Sequence, residues 1–116
     1  MAVTLFMRVP ELSPERYGRL VADLELDANP PAGMLLHVVS ESVGAVNIFE
    51  VWQTPEAAES YIERRLRGAL AAHGVKEPLS YRIEAMCNLF SPEMDMLGRL
   101  GATSLPAGSA ARARAS

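Results

Sequence analysis

The feature that most constrains the fold is a pair of apolar segments, residues 34–41 and 45–53, separated by Ser42-Val43-Gly44. Both segments are rich in residues of high strand propensity, and a short gap that contains glycine is typical of a β-hairpin. Apolar residues occur on both faces of each predicted strand, so both faces need cover. We expect one face to meet helices, and the other face must meet a different surface.

Two helix starts with the same pattern flank this hairpin. The runs S-P-E at residues 13–15 and T-P-E at residues 54–56 each supply an N-cap hydroxyl, a proline at the first helical position and an acid in the first turn. Apolar residues follow both starts at helical spacing, including Tyr17 in the first segment and Tyr61 in the second. The sequence predicts helices over residues 14–26 and 55–73.

Two further strands complete the predicted order. Residues 2–9 form an apolar strand that ends at Pro10, and residues 79–90 form the last strand after a turn at Pro78. The order β-α-β-β-α-β predicts an α+β, ferredoxin-like domain over residues 1–92, with a four-stranded antiparallel sheet and two helices on one face. Residues 93–116 form a tail that could begin with a short helix and is otherwise expected to be disordered.

Composition excludes several classes of partner. A formal net charge of -3 argues against a broad phosphate-binding surface, so nucleic acid is not expected. No apolar run reaches the roughly 18 to 20 residues needed to span a bilayer, so no membrane association is expected. The single cysteine, Cys87, cannot form an internal disulfide, which favours a cytoplasmic location, and as a buried thiol in the last strand it would be inert.

The register of the hairpin decides what surrounds His37, the histidine in the run MLLHVVSE. A two-residue turn at Val43-Gly44 places His37 opposite Glu50 and Leu35 opposite Trp52, with all four on one face. A three-residue turn places His37 and Glu50 on opposite faces and removes the pairing. The sequence leaves both registers open.

Two interpretations of a His37–Glu50 pair remain open as well. A carboxylate can fix the tautomer of an imidazole and raise its basicity, so His37 could act as a general base with Glu50 orienting it. Alternatively, the two residues form a satisfied polar pair in a dimer interface, because a polar group buried there without a partner would cost about 1–3 kcal/mol.

Four aromatic residues are candidate substrate-binding groups. Trp52 offers a flat surface on which an aromatic ligand could stack. Tyr17, Tyr61 and Tyr81 could each direct a hydroxyl into a pocket between the sheet and the helices. The alternative for all four residues is that they pack in the core. The sequence contains no metal-binding cluster, phosphate loop or dinucleotide fingerprint, so neither a metal nor another cofactor is expected.

Three short motifs then carry a family resemblance. They are the pair His37-Val38, the run EVWQT at residues 50–54 and the run RLRGAL at residues 65–70. In this order and at these spacings, residues 2–92 resemble small bacterial proteins of the dimeric α/β-barrel superfamily, in the antibiotic biosynthesis monooxygenase-like group. The resemblance implies a homodimer in which two sheets pack face to face into a barrel, which would cover the second sheet face.

The resemblance also implies a class of function. Members of the superfamily oxygenate or cyclise polyketide aromatics, isomerise muconolactone or degrade haem. We therefore expect a cofactor-independent enzyme of bacterial secondary metabolism that acts on a hydrophobic aromatic or polyketide-like small molecule. A non-catalytic dimer that binds a small molecule or serves as a scaffold is the alternative.

Overall fold

A computed structural model describes residues 1–76 and 79–98 and has the predicted order of elements. Residue 78, where the last turn was predicted, and residues 99–116 of the tail lie outside the described ranges. The elements, in chain order, are β1 Val3–Pro10, α1 Pro14–Leu24, β2 Met34–Ser42, β3 Ala45–Trp52, α2 Pro55–Tyr61, a π-helical segment Ile62–Leu66, α3 Arg67–Ala72 and β4 Tyr81–Ala85.

The four strands form one antiparallel sheet in the order β2-β3-β1-β4. This order, with the helices packed on one face, confirms the predicted ferredoxin-like α+β fold. Strands β2 and β4 are the two edges, and β1 and β3 are the centre. A residue on β2 is therefore separated from a residue on β4 by the full width of two strands.

Both predicted helix starts are present. The Ser13 hydroxyl accepts a hydrogen bond from the backbone N–H of Arg16 at 3.2 Å, and the Thr54 hydroxyl accepts one from the N–H of Ala57 at 3.1 Å. Each bond satisfies one of the backbone donors that a helix N-terminus leaves unpaired. The second predicted helix contains an unexpected interruption, because α2 passes into the π-helical segment before it continues as α3.

The core lies between the sheet and the helices. Alternate residues of β1 point into it, from Val3 to Val9, and each is at most 3% exposed. The helices contribute a second apolar layer, which consists of Tyr17, Leu20, Val21, Leu24, Ala58, Tyr61, Ile62, Leu66 and Leu70. The opposite sheet face is more open, since Val38 is 47% exposed and Phe49 is 39% exposed.

Three local predictions were wrong. The strand pairing is irregular between Met34 and Leu36, so that Met34, and not Leu35, lies opposite Trp52. Leu35 is 54% exposed as a result. The last strand ends at Ala85 instead of residue 90, so Cys87 lies beyond the sheet and is exposed, not buried.

The segment beyond the last strand is largely exposed. Residues 94–98 are helical, as was considered for the start of the tail. Among the described residues, no helix is both long and apolar enough to cross a membrane.

Gly33, the residue before β2, packs closely against helix α2, and its substitution should destabilise the fold. Its φ is +89°, and an added Cβ would lie 2.7 Å from the Cβ of Ala57. We expect Gly33→Ala to lower the free energy of unfolding by about 2–4 kcal/mol, which combines left-handed backbone strain with overpacking. Chemical denaturation measures this change.

Gly44 provides the matched control. It also has a positive φ, +71°, but nothing lies within 4 Å of an added Cβ. Gly44→Ala should therefore cost only the backbone strain, about 1–2 kcal/mol. Equal losses in the two variants would contradict a steric conflict between Gly33 and Ala57.

Candidate functional site

A continuous chain of polar contacts joins α1, β2 and β3 on the helix-facing side of the sheet. The Tyr17 hydroxyl contacts Nε2 of His37, and Nδ1 of His37 lies 2.7 Å from Oε2 of Glu50. The indole N–H of Trp52 donates to the other carboxylate oxygen, Oε1 of Glu50, at 2.9 Å. We refer to these four residues as the Glu50 network.

The turn of the hairpin produces the central pair of this network. Ser42 is paired with Ala45, so the turn consists of Val43 and Gly44. Counting back along the antiparallel ladder places His37 directly opposite Glu50. The two-residue register is therefore confirmed, and the three-residue alternative is wrong.

Glu50 is the most constrained member of the network. Its side chain is 1% exposed, and both carboxylate oxygens have a hydrogen-bond partner. A buried carboxylate without partners would cost several kcal/mol, so the two donors are a condition for its burial. Trp52 lies two residues along the same strand and therefore on the same face, which is why one strand supplies both the acid and a donor.

The structure also decides on which side of the sheet the pair lies. His37 contacts Tyr17 of α1, so the pair faces the helices of its own chain. The expectation that His37 and Glu50 would form a pair inside a dimer interface is wrong for this reason. If His37 and Glu50 have only a structural role, they form a satisfied polar pair in the core of the domain.

Tyr17 reaches His37 from the buried stripe of α1. The two rings are nearly parallel, with an angle of 12° between their planes and 6.2 Å between their centroids. Burial raises the pKa of the Tyr17 hydroxyl far above its usual range, and the neighbouring Tyr61 and Glu50 raise it further. Tyr17 is therefore a phenol in the folded protein, and its O–H can donate to the lone pair on Nε2 when Nδ1 carries the ring proton.

Tyr61 packs against Trp52, with the two ring centroids 5.2 Å apart. Burial and the nearby Glu50 raise the pKa of the Tyr61 hydroxyl, and the charge of Arg65 offsets only part of this rise. The guanidinium of Arg65 lies 5.9 Å from the centroid of the Tyr61 ring and donates to the carbonyl of Leu24 at 2.5 Å. Arg65 thereby ties the C-terminal end of α1 to the π-helical segment.

Two of the candidate substrate-binding residues are poorly placed to meet a ligand beside His37. Trp52 is 0% exposed, so a ligand could stack on the indole only if a neighbour such as Tyr61 moved aside. Tyr81 opens β4 and pairs with Met7, whereas His37 lies on β2 at the other edge of the sheet. The structure brings Tyr17, His37, Glu50, Trp52 and Tyr61 together and leaves Tyr81 apart.

Two further features of the described residues bear on ligands. No group of three or more His, Cys, Asp or Glu side chains in residues 1–76 and 79–98 is arranged to hold a metal ion. A cleft of about 500 Å³ lies at the far end of β1, where Arg8, Glu11, Arg16 and Lys76 contribute to its wall. No member of the Glu50 network lines this cleft.

The contact between Tyr17 and His37 was not predicted from the sequence. Periodicity places Tyr17 on the buried face of α1, but it does not show which strand residue the hydroxyl meets. The available signal was the combination of two polar tips, a phenol and an imidazole, on apolar faces that pack against each other. Buried polar atoms of this kind need hydrogen-bond partners, and the phenol and the imidazole can satisfy each other.

Comparison with known proteins gives a fold and no closer relative. No protein-family model and no curated protein matches the chain. Among solved structures, a candidate antibiotic biosynthesis monooxygenase from Chloroflexus aurantiacus J-10-fl is 21% identical, with a TM-score of 0.56 over 78% of this chain and 98% of that chain. SnoaB, a cofactor-independent oxygenase from Streptomyces nogalater, is 15% identical, with a TM-score of 0.57 over 79% of this chain and 98% of that chain.

A designed protein shares the architecture as well. The de novo designed protein Foldit4 is 15% identical, with a TM-score of 0.53 over 75% of this chain and 100% of that chain. The chain therefore has the fold of the antibiotic biosynthesis monooxygenase-like proteins, as the sequence resemblance predicted. Because natural and designed proteins share this fold, the function of this protein has to be argued from its site residues.

The buried hydroxyls of Tyr17 and Tyr61 predict a loss of stability in alkaline solution. Folding raises both pKa values above their ordinary value of 10.0, so above that pH the unfolded chain releases protons that the folded protein retains. The contribution of these groups to the free energy of unfolding is complete below about pH 10 and decreases as the pH rises beyond it. Urea unfolding across this range measures the decrease.

The double variant Tyr17→Phe/Tyr61→Phe is the control for other groups that titrate in the same range. It lacks both hydroxyls, so its free energy of unfolding should decrease less steeply with alkaline pH than that of the wild type. The same slope in both proteins would show that the two phenols are not the groups responsible.

Proposed function

We propose that this protein is an enzyme that removes a proton from a hydrophobic aromatic or polyketide-like small molecule, without a bound cofactor, as the first step of an oxygenation, cyclisation or isomerisation. In this proposal His37 is the general base and Glu50 orients it. The observation that carries the proposal is the 2.7 Å contact between Nδ1 of His37 and a carboxylate that is 1% exposed.

The geometry of this pair supports base chemistry. A proton on Nδ1 is held by Glu50, which leaves the lone pair on Nε2 as the basic position of the ring. When Nε2 takes a proton from a phenol or an activated CH2 group, the imidazolium that forms is paired at once with the Glu50 carboxylate. The substrate becomes a phenolate or an enolate, which is the electron-rich species from which each of the three reactions would start.

The aromatic residues around Glu50 have supporting roles in this proposal. Trp52 holds Glu50 through its indole N–H, and Tyr17 and Tyr61 bring hydroxyls to the same side of the sheet. Tyr81 is not part of the proposed site because it lies at the other edge of the sheet. SnoaB, with which this chain shares its fold, is itself a cofactor-independent oxygenase, and that likeness is consistent with chemistry of this kind.

A non-catalytic protein that binds a small molecule or acts as a scaffold is the second candidate. One observation favours it: both ring nitrogens of His37 and both oxygens of Glu50 already have hydrogen-bond partners within the chain. A polar group that is fully satisfied in a core needs no further role. The two candidates differ in whether His37 is needed for turnover.

A comparison of His37→Gln with wild type tests the base. Thermal-shift screening of hydrophobic phenols and polyketide-like aromatics would identify a ligand, and turnover of that ligand would then be measured. We expect His37→Gln to fold, to bind the ligand and to lose turnover by about 10²–10⁴-fold, the usual contribution of a general base.

The matched control is His73→Gln. His73 is the other histidine of the chain and pairs with Asp23 at 2.7 Å, away from the Glu50 network. This variant should retain the turnover of the wild type. If His37→Gln folds, binds and turns over the ligand at an unchanged rate, His37 is not the base.

We also propose that two copies of the chain associate through the sheet face that points away from the helices. A row of directly paired residues crosses this face, with Val38 on β2, Phe49 on β3 and Phe6 on β1. Val38 and Phe49 are 47% and 39% exposed, and burying them against a second sheet would remove apolar surface from water. This arrangement is the face-to-face dimer that the sequence resemblance implies.

A charge in the middle of this row should oppose the dimer. Phe49→Glu would bury an unpaired carboxylate in the interface of each protomer, which weakens association by about a hundredfold or more. Sedimentation of the wild type should give a dimer, and sedimentation of Phe49→Glu should give a monomer at the same concentration. Val43→Glu is the control, because Val43 is 98% exposed in the hairpin turn and lies outside the row. A monomeric wild type, or a Phe49→Glu variant that remains dimeric, would contradict the proposed interface.

A further inference from the structure

We propose that Tyr17 is the catalytic group through which the His37–Glu50 pair takes a proton from a bound phenol or enol. This inference rests on the proposed function and changes one step of it, because the substrate proton reaches Nε2 through the Tyr17 hydroxyl and not directly. It also narrows the class of substrate to compounds with an acidic O–H group.

Both ring nitrogens of His37 are already in contact with a side chain. Each ring nitrogen of His37 has one position for a hydrogen bond in the ring plane, Nδ1 is bonded to Glu50, and Nε2 is in contact with the Tyr17 hydroxyl. A ligand therefore meets no free nitrogen on His37 while the Glu50 network is intact. The lone pair on Nε2 already accepts the Tyr17 hydroxyl, so a ligand proton reaches it only through that hydroxyl group.

The Tyr17 oxygen can bond to a ligand while its proton is directed at His37. A hydroxyl group donates one hydrogen bond and accepts up to two. With its proton directed at Nε2, Tyr17 still has lone pairs with which it can accept the O–H of a ligand. A phenol or enol would be oriented by this hydrogen bond, whereas a C–H group is too weak a donor to be held in the same way.

The proton balance of the step follows from these contacts. The O–H bond of the substrate breaks and its proton passes to the Tyr17 oxygen, while the Tyr17 proton passes to Nε2 of His37. Tyr17 is a phenol before and after the step, the substrate becomes an oxyanion, and the imidazolium is paired with Glu50. Burial raises the pKa of Tyr17 well above its usual range, so it transmits a proton in this step without lasting as a phenolate.

The absorbance of p-nitrophenol tests the relay without the need to know the natural substrate. The probe is a phenol whose ionised form has its own absorbance band, and it would be added at a pH at which the free compound is mostly protonated. We expect probe bound to the wild type to be ionised, and probe bound to His37→Gln to stay protonated. Tyr17→Phe, which keeps the ring and removes only the hydroxyl, should reduce the ionised fraction of bound probe by about tenfold or more.

Tyr81→Phe is the matched control, because it removes the same atom at the other edge of the sheet and should leave ionisation of the probe unchanged. If the wild type binds and ionises the probe and Tyr17→Phe does so equally well, the relay is wrong although His37 remains a base. If the wild type binds no phenol, or binds it without ionising it, the proposed function fails together with the relay.

A measurement on the unmodified protein keeps the relay testable if Tyr17→Phe does not fold. The nitrogen NMR shifts of the two histidines distinguish a ring proton on Nδ1 from one on Nε2. The relay requires the proton of neutral His37 to be on Nδ1, so that Nε2 can accept from Tyr17. A proton on Nε2 of neutral His37 would overturn the proposal.

Discussion

The burial of one carboxylate governs the arrangement of this domain. Glu50 lies in the centre of the sheet and is 1% exposed, and its two oxygens are bonded by the imidazole of His37 and the indole of Trp52. Both donors have to be at fixed positions for this burial to be tolerable, because an unpaired buried charge would consume a large part of the 5–15 kcal/mol or so by which a typical domain is stable. The two-residue turn supplies the first donor, because its register places His37 opposite Glu50, and Tyr17 contacts the other ring nitrogen of His37.

The two faces of the sheet differ in chemical character. On the helix side, polar atoms are few and each member of the Glu50 network bonds to the next. On the other side, the row of Val38, Phe49 and Phe6 carries no such network and is apolar and partly exposed. The proposed chemistry and the proposed dimer contact thus lie on opposite faces of one sheet. Even-numbered residues of β3 such as Glu50 face the helices, and odd-numbered residues such as Phe49 face away from them. Glu50 and Trp52 belong to the first face and Phe49 to the second.

The sequence predicted most of this architecture because the relevant signals are local. The motifs S-P-E and T-P-E start helices through hydrogen bonds that span three residues, and alternation within β3 places Glu50 and Trp52 on one face. The pairing of His37 with Glu50 depended on a turn of either two or three residues, which the sequence left open. The irregular pairing after Met34 and the early end of β4 were missed because they depend on packing between elements. The contact of Tyr17 with His37 was missed for the same reason, since it requires the relative position of α1 and β2.

The π-helical segment Ile62–Leu66 affects how the continuous helical run of α2, this segment and α3 packs on the sheet. Ala58, Ile62, Leu66 and Leu70 are all buried and recur every four residues, whereas an α-helix completes a turn in about 3.6 residues. In a regular helix these four side chains would drift by about 40° at each step and would wind around the axis, away from the core. The wider π turn takes back part of that rotation, so that a strict four-residue repeat stays aligned along one side. The π-helical segment therefore keeps the four-residue spacing of the buried side chains in phase with the turn of the helix, and all four side chains can reach the core.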